Sequence, residues 1–155
     1  KLAGENAALN LCQHTMVVRT SWLYSAMGKN FVKTMVRLGH TKEQMGVVFD
    51  QVGTPTYASD LAYTLLKAVD KGVVPGIYHY SNEGVTSWYD FAKAIHRLSD
   101  IKDCHVSPIH TSEYPTPARR PAYSVLDKTK IKETYGIEIP QWEESLAKCI
   151  NLIMF

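Results

Sequence analysis

Cysteine is scarce in this chain, and long apolar runs are missing. The 155 residues hold three cysteines, Cys12, Cys104 and Cys149, an odd number with no CxxC spacing. Neither a disulfide framework nor a structural zinc site is therefore expected, and unpaired thiols fit a reducing cytoplasm. The six histidines are scattered; none pairs with another at helical ligand spacing, so no metal site is expected. No stretch approaches the roughly 20 apolar residues that span a bilayer, and signal-peptide organisation is missing. An excess of one charge is lacking too. Seventeen Lys and Arg oppose fifteen Asp and Glu for a net charge of +2, and the only dibasic pair, Arg119-Arg120, sits among prolines. A nucleic-acid partner would demand basic clusters on one face, so none is expected. What remains is 45% hydrophobic and 21% charged residues, enough for one globular domain with a real core.

Helical and strand patterns alternate along the chain. Leu2 to Cys12 carries small and apolar residues at helical spacing. Thr15 to Thr20 is a short β-branched run that reads as a buried strand. Asn30 to Leu38 returns to helix and stops at Gly39; Gly46 to Phe49 is a second strand. Asp50 to Thr56 is turn chemistry from end to end, with Pro55 fixing its shape and Gly53 permitting unusual dihedrals. A helix follows from about Tyr57 to Val69, with Leu61, Leu65 and Leu66 expected inward. Ile77 to Tyr80 is a third strand, and Thr86 is the expected cap of a helix over Ser87 to Leu98. Val106 to Ile109 reads as a further strand. Tyr114 to Pro121 holds three prolines and must be extended and irregular. Two short helices close the chain, near Lys128 to Tyr135 and Glu143 to Met154, the second in the amphipathic stretch Trp142 to Phe155.

This alternation implies an α/β architecture. Three or four short strands make only a small sheet, and the first helix lacks a preceding strand. The chain also opens at Lys1, inside KLAGENAALNLC, which reads as the middle of a helix. The expectation is a piece of a larger doubly wound protein.

Several segments, in their order and spacing, resemble one family. Lys1-Leu2-Ala3-Gly4-Glu5 is similar to the residues that follow the catalytic tyrosine of extended short-chain dehydrogenases/reductases, with Lys1 as the lysine of Tyr-x-x-x-Lys. Arg19 to Ser25 (RTSWLYS) and Gly28-Lys29-Asn30-Phe31 resemble the dTDP-4-dehydrorhamnose reductases in particular. So do Val48 to Thr56 (VFDQVGTPT), Gly76 to Tyr80 (GIYHY), Thr86 to Ala92 (TSWYDFA) and Ala118 to Ser124 (ARRPAYS). The resemblance covers nearly the whole chain. It implies a Rossmann-like fold in which residues 1–155 form the sugar-nucleotide-binding C-terminal part. Residues 1–25 and about 76–82 would then be remnants of the Rossmann sheet layer, with the dinucleotide-binding half absent.

The resemblance also implies roles. A lysine ammonium beside the tyrosine phenol favours phenolate and hydrogen-bonds the nicotinamide ribose, which makes Lys1 a catalytic and cofactor-binding candidate. Arg19 and Thr20, at the strand end, are further cofactor candidates. Trp22 lies beyond a strand's carboxyl end, where ligands of open α/β sheets sit; its indole can pack against the deoxysugar, or it can simply seal a domain seam. Asn30, Gln51 and Thr56 are substrate candidates, the last two in a loop that equally suits a plain strand-to-helix turn capped by Thr56. Arg119 and Arg120 carry guanidinium forks that match phosphate oxygens. Neighbours in an extended segment point opposite ways, so only one is expected to face a diphosphate. The alternative is a solvated pair, or one arginine bound to Glu113 or Asp127. Trp88, Tyr89 and Phe91 read as core.

The implied activity is NADPH- or NADH-dependent reduction of dTDP-4-dehydrorhamnose to dTDP-L-rhamnose in the cytoplasm, with the 155 residues inactive alone. Magnesium, which the family admits, is demanded by no motif here. A nucleotide-sugar epimerase or dehydratase, or a non-catalytic binding subunit of the same fold, would share the architecture. Self-association through the exposed Rossmann face is also expected.

Overall fold

Why the chain builds two separate apolar clusters follows from where its parallel strands pair. The structure, a computed structural model, describes residues 1–154; Phe155 and the side chain of Met154 lie outside the described residues. The elements run α1 (Leu2–Leu11), β1 (Met16–Thr20), β2 (Leu23–Tyr24), α2 (Phe31–Gly39), β3 (Gln44–Val48), β4 (Val52–Gly53) and β5 (Thr56–Tyr57). They continue with α3 (Ala58–Asp70), β6 (Gly76–Tyr80), β7 (Thr86–Ser87), α4 (Trp88–Leu98), β8 (His105–Ile109), α5 (Thr129–Tyr135) and α6 (Trp142–Met154). The strands pair two by two: β1 with β6, β2 with β5 and β3 with β8 in parallel, and β4 with β7 antiparallel. Parallel partners need long crossovers, and these weave the two halves together. The α/β expectation is met.

The β1–β6 pair, with Val18 opposite Tyr78 and Thr20 opposite Tyr80, is backed by α3 and α5. Ala68, Tyr78, Tyr80, Ile131, Tyr135 and Ile137 form its cluster. The larger cluster joins α2, α4 and α6 to β3 and β8 through Val32, Met35, Val47, Phe91, Ile95, Val106, Leu146 and Ile150. Local signals explain the helix starts. Asn30 caps α2 by accepting from Lys33 N–H, and Ser87 caps α4 by accepting from Asp90 N–H, each satisfying an orphan donor of a first turn.

Several sequence expectations are corrected. Leu65 and Leu66 do not face inward: Leu66 is 64% exposed, and α3 buries Thr64 and Ala68 instead. A helix turns about 100° per residue, so the stripe through Leu61, Thr64 and Ala68 leaves Leu65 at its margin and Leu66 on the opposite side. The second strand lies earlier than Gly46 to Phe49 and leaves Phe49 exposed. Ser87, not Thr86, caps α4, and α3 has no side-chain cap from Thr56. Strand β1 is half-buried, not buried. Helix α1 buries no residue; it is tied down by Arg19–Glu5 contacts and by Thr15 Oγ1 donating to Ala8 O at 3.0 Å.

A polar knot joins the clusters at Asn82, which is fully buried. Its Oδ1 accepts from Tyr57 N–H at 2.7 Å, and its Nδ2 donates to Asp60 Oδ2 at 2.7 Å and Ser145 Oγ at 2.9 Å. Ser145 Oγ donates in turn to Asp60. The next carbonyl-side contact is Lys128, itself buried, which donates to Asn82 O at 3.2 Å and pairs with Glu83 at 3.2 Å. Removing one member strands the others away from water, at about 1–3 kcal/mol per neutral group and more for a charge. Asn82→Ala is therefore expected to cost about 3 kcal/mol in urea unfolding. Tyr24→Phe is the contrasting case: the Tyr24 hydroxyl is buried without a partner among the described residues, so its removal is expected to leave the urea midpoint unchanged or raised.

Candidate functional site

The end of β1 leads into a tightly stitched turn. Thr20 Oγ1 donates to Thr56 Oγ1 at 2.9 Å, Ser21 Oγ donates to Thr54 O at 2.8 Å, and Thr56 N–H donates to Trp22 O at 3.2 Å. On the other side of the same loop, Thr54 Oγ1 donates to Gly84 O at 2.7 Å and Asn82 N–H to Pro55 O at 3.1 Å. Residues 53–57 are thus held from both flanks and are all buried. Within this frame Trp22 adopts a left-handed φ of +47°, which is unusual for a bulky residue and marks a position held by its surroundings. Its indole stacks on Trp88 with centroids 3.6 Å apart and planes 13° apart. Trp88 in turn leans on Phe31 at 4.6 Å.

Gly53 is needed here for closeness and not for unusual dihedrals. Its φ is not positive, and a Cβ would lie 2.9 Å from Trp22 Cε2 and Cζ2 and 2.7 Å from Ser124 Oγ. Residues 122–124 are laced to β4, with Val52 N–H donating to Ala122 O at 2.7 Å and Ser124 N–H to Val52 O at 2.8 Å. This lacing brings the arginine loop to the site. Arg120 lines a cleft of about 390 Å³ together with Gln51, Trp88, Tyr114 and Thr116, over a floor that includes Phe31 and Met35. Arg119 does not line it. Both arginines are exposed, and among the described residues neither pairs with Glu113, Asp127 or another carboxylate. A roomier cleft of about 620 Å³ lies around Lys93, Arg97, Asp103 and His105, but it contains none of the candidate residues.

Gln51 is oriented by a relay. Its Nε2 donates to Thr111 Oγ1 at 3.0 Å; that hydroxyl donates to Asp50 Oδ1 at 2.6 Å, and Thr111 N–H donates to the same carboxylate at 2.9 Å. These bonds, the hydroxyl's above all, hold the Asp50 carboxyl below the usual carboxylate range. The other candidates lie elsewhere. The Asn30 amide is spent on structure, donating to Ser25 O at 2.8 Å and capping α2. Arg19 donates through Nε and Nη2 to Glu5 at 3.0 and 2.6 Å, an arrangement that lowers the Glu5 pKa and raises that of Arg19. Lys1 stands exposed at the start of α1. The structure therefore gathers Thr20, Trp22 and Thr56 at the strand ends and Gln51 and Arg120 at the cleft; the Trp22–Trp88 stack links the two groups. Sequence reasoning assigned Trp88 to the core. Its i, i+3 partnership with Phe91 is real, but the half-buried indole also forms a wall of the cleft. Among the described residues no group of three or more His, Cys, Asp or Glu is arranged to hold a metal ion.

The family described as RmlD substrate binding domain matches residues 1–154. The chain belongs to that family. It is 42% identical to the dTDP-4-dehydrorhamnose reductase of Aggregatibacter actinomycetemcomitans over 94% of its own length and 53% of the relative's. It is 43% identical to the spore coat polysaccharide biosynthesis protein SpsK of Bacillus subtilis, over 97% and 52%. The chain thus spans about half the length of the curated relatives it matches. Among solved structures, a dTDP-4-dehydrorhamnose reductase of Clostridium acetobutylicum superposes with a TM-score of 0.95 at 46% identity, covering 100% of this chain and 54% of that one. The Bacillus anthracis enzyme, solved in complex with NADP, superposes at 0.92 with 40% identity, over 97% and 53%. A UDP-glucuronic acid 4-epimerase of Bacillus cereus shares the fold alone, at 13% identity and a TM-score of 0.79. The Rossmann-like α/β fold implied by the resemblance is the fold of this family.

Because bonds to the ionised Asp50 depress its pKa, the relay is fully made above the ordinary carboxylate range and is lost only as the pH falls through the lowered value. Carboxyl NMR titration is expected to place the Asp50 midpoint below that of an ordinary aspartate. Thr111→Val should move it up towards the ordinary value, and an unmoved midpoint would show that Thr111 does not hold Asp50.

Proposed function

We propose that this chain is the sugar-nucleotide-binding part of an NAD(P)H-dependent reductase that converts dTDP-4-dehydrorhamnose to dTDP-L-rhamnose. The observation that carries the reading is the joining of an arginine-edged cleft to strand ends through the Trp22–Trp88 stack, in a chain whose relatives at 40–46% identity are named for that reaction. Residues 1–25 and about 76–82 supply the edge of the Rossmann layer, and the remainder forms the substrate part. Epimerases and dehydratases share the fold at 13–19% identity, which supports no transfer of their chemistry.

Each residue then has a task. Arg120 grips the diphosphate, Gln51 offers its carboxamide to the nucleotide, and Trp22 orients the deoxysugar so that C4 meets the cofactor. Thr56, with Thr20 bonded to it, fixes the floor beneath that sugar. Asn30 serves the site by capping α2, and Arg119 stays in solvent. On the cofactor side the fit is partial. The Lys1 ammonium has no hydrogen-bond partner among the described residues and stands one turn before Glu5, free to meet a ribose hydroxyl and a phenol. Arg19 is occupied by Glu5 and acts by seating α1 against β1. When bound, the nicotinamide cofactor supplies the hydride to C4. No glycine-rich strand-to-helix turn occurs in these 155 residues, so the cradle for its pyrophosphate must come from outside them.

Charge-assisted bidentate contacts are worth about 1.5–3 kcal/mol, one to two orders of magnitude in affinity. Arg120→Ala is expected to weaken dTDP binding by that factor in calorimetry, while Arg119→Ala binds nearly as the parent does. Parental affinity in both variants would remove the diphosphate assignment. The 155 residues expressed alone are expected to show no NADH- or NADPH-dependent reduction of a keto-sugar nucleotide; turnover above background would contradict the division of labour. They are also expected to self-associate, because β1 and α1 are poorly covered and exposed apolar surface drives association. A monomer at high concentration in sedimentation would argue otherwise.

A further inference from the structure

We propose that Trp88 is a positioning residue, holding the Trp22 indole in the one orientation that lets it set the sugar. This rests on the reading of Trp22 as the sugar-contacting residue. Three observations carry it. Trp22 has a left-handed backbone, φ +47°, a conformation a tryptophan leaves unless neighbours hold it. Its carbonyl is held by Thr56 N–H, but that bond fixes the backbone and leaves the side-chain torsions free. The indole itself is constrained by flat stacking on Trp88 at 3.6 Å and 13° and by its close approach to Gly53. Trp88 can serve as an anvil because it is fixed in turn: it is the first residue of α4, whose cap Ser87 is bonded to Asp90, and Phe31 packs on it at 4.6 Å. Trp142, the third indole, packs edge-on against Phe91 and not on this pair.

Stacked indoles couple electronically, so circular dichroism reads the Trp22–Trp88 pair directly. The test uses a full-length reductase carrying this chain. Trp88→Leu is expected to lose the exciton couplet and to lower kcat for the 4-keto sugar nucleotide about tenfold or more, with KM within about threefold of the parent. Trp88→Phe, which keeps a flat ring, should recover most of kcat. If Trp88 acts only through Trp22, adding Trp88→Leu to Trp22→Ala causes no further loss. Gly53→Ala, whose new Cβ displaces the indole while Trp88 stays, should likewise weaken the couplet and kcat together; it decides the matter if Trp88→Leu does not fold. Parental kcat in Trp88→Leu despite loss of the couplet overturns the proposal, as does a loss confined to KM or a double variant slowed by the product of the single effects. Parental turnover in Trp22→Ala instead overturns the underlying reading of Trp22. A slow Trp22→Ala beside a parental Trp88→Leu overturns the positioning role alone.

Discussion

The buried amide of Asn82 is the point on which the rest of the molecule turns. Apolar burial brings the two clusters together but is non-directional and roughly proportional to area, so it does not by itself fix how one lies on the other. Asn82 supplies direction. It receives Tyr57 N–H from β5, gives its own protons to Asp60 at the start of α3 and to Ser145 on α6, and so fastens the β1–β6 layer to the helices of the larger cluster. In a low-dielectric interior each of these bonds is costly to leave unmade, which makes the arrangement close to all-or-none.

From this anchor the site geometry follows in short steps. Tyr57 ends β5, β5 pairs with β2 directly after Trp22, and Thr56 N–H holds the Trp22 carbonyl. The orientation of Trp22 is thereby referred to the centre of the protein. Gln51 is held through Thr111 by Asp50, and Arg120 by the lacing of residues 122–124 to β4. The cofactor-side candidates are attached far more loosely: α1 buries nothing, and its Glu5–Arg19 pair is partly exposed, with 40% of the arginine side chain accessible. An exposed pair of that kind contributes little to stability. The rigid part of the site is thus the part assigned to the sugar nucleotide.

Much of the fold was legible in the sequence because long elements carry a period. Helices α2, α4 and α6 show one, and caps and breakers bound them. The two-residue strands β2, β4, β5 and β7 were not legible, since two residues define no alternation. Helix α3 was misoriented because leucines occur on both of its faces, and hydrophobicity alone cannot choose between the stripe through Leu61 and the one through Leu66. At the site, the residue types were readable but their grouping was not. Arg120 and Gln51 meet in one cleft only because distant segments are laced to β4, a tertiary fact with no local signature.

The features that local reading does not supply converge on one place, and that convergence has a physical cause. Trp22 in a left-handed conformation, Gly53 selected for closeness instead of dihedral freedom, and Trp88 as a cleft wall each contradict a local preference. Local reading assumes that every residue adopts the state it favours alone, which holds where contacts merely reinforce propensity. It fails where contacts override propensity, and an override needs neighbours in fixed positions to oppose the relaxation. Here those neighbours are Thr56, Gly53 and Trp88, which are themselves tied to Asn82, β4 and the capped start of α4. Strain of this kind persists only inside an over-determined frame. A tryptophan held off its preferred backbone beside an open cleft is thus stabilised by the whole frame and not by any single contact. That is why loosening the frame at Trp88 or Gly53 is expected to act on orientation before it acts on folding.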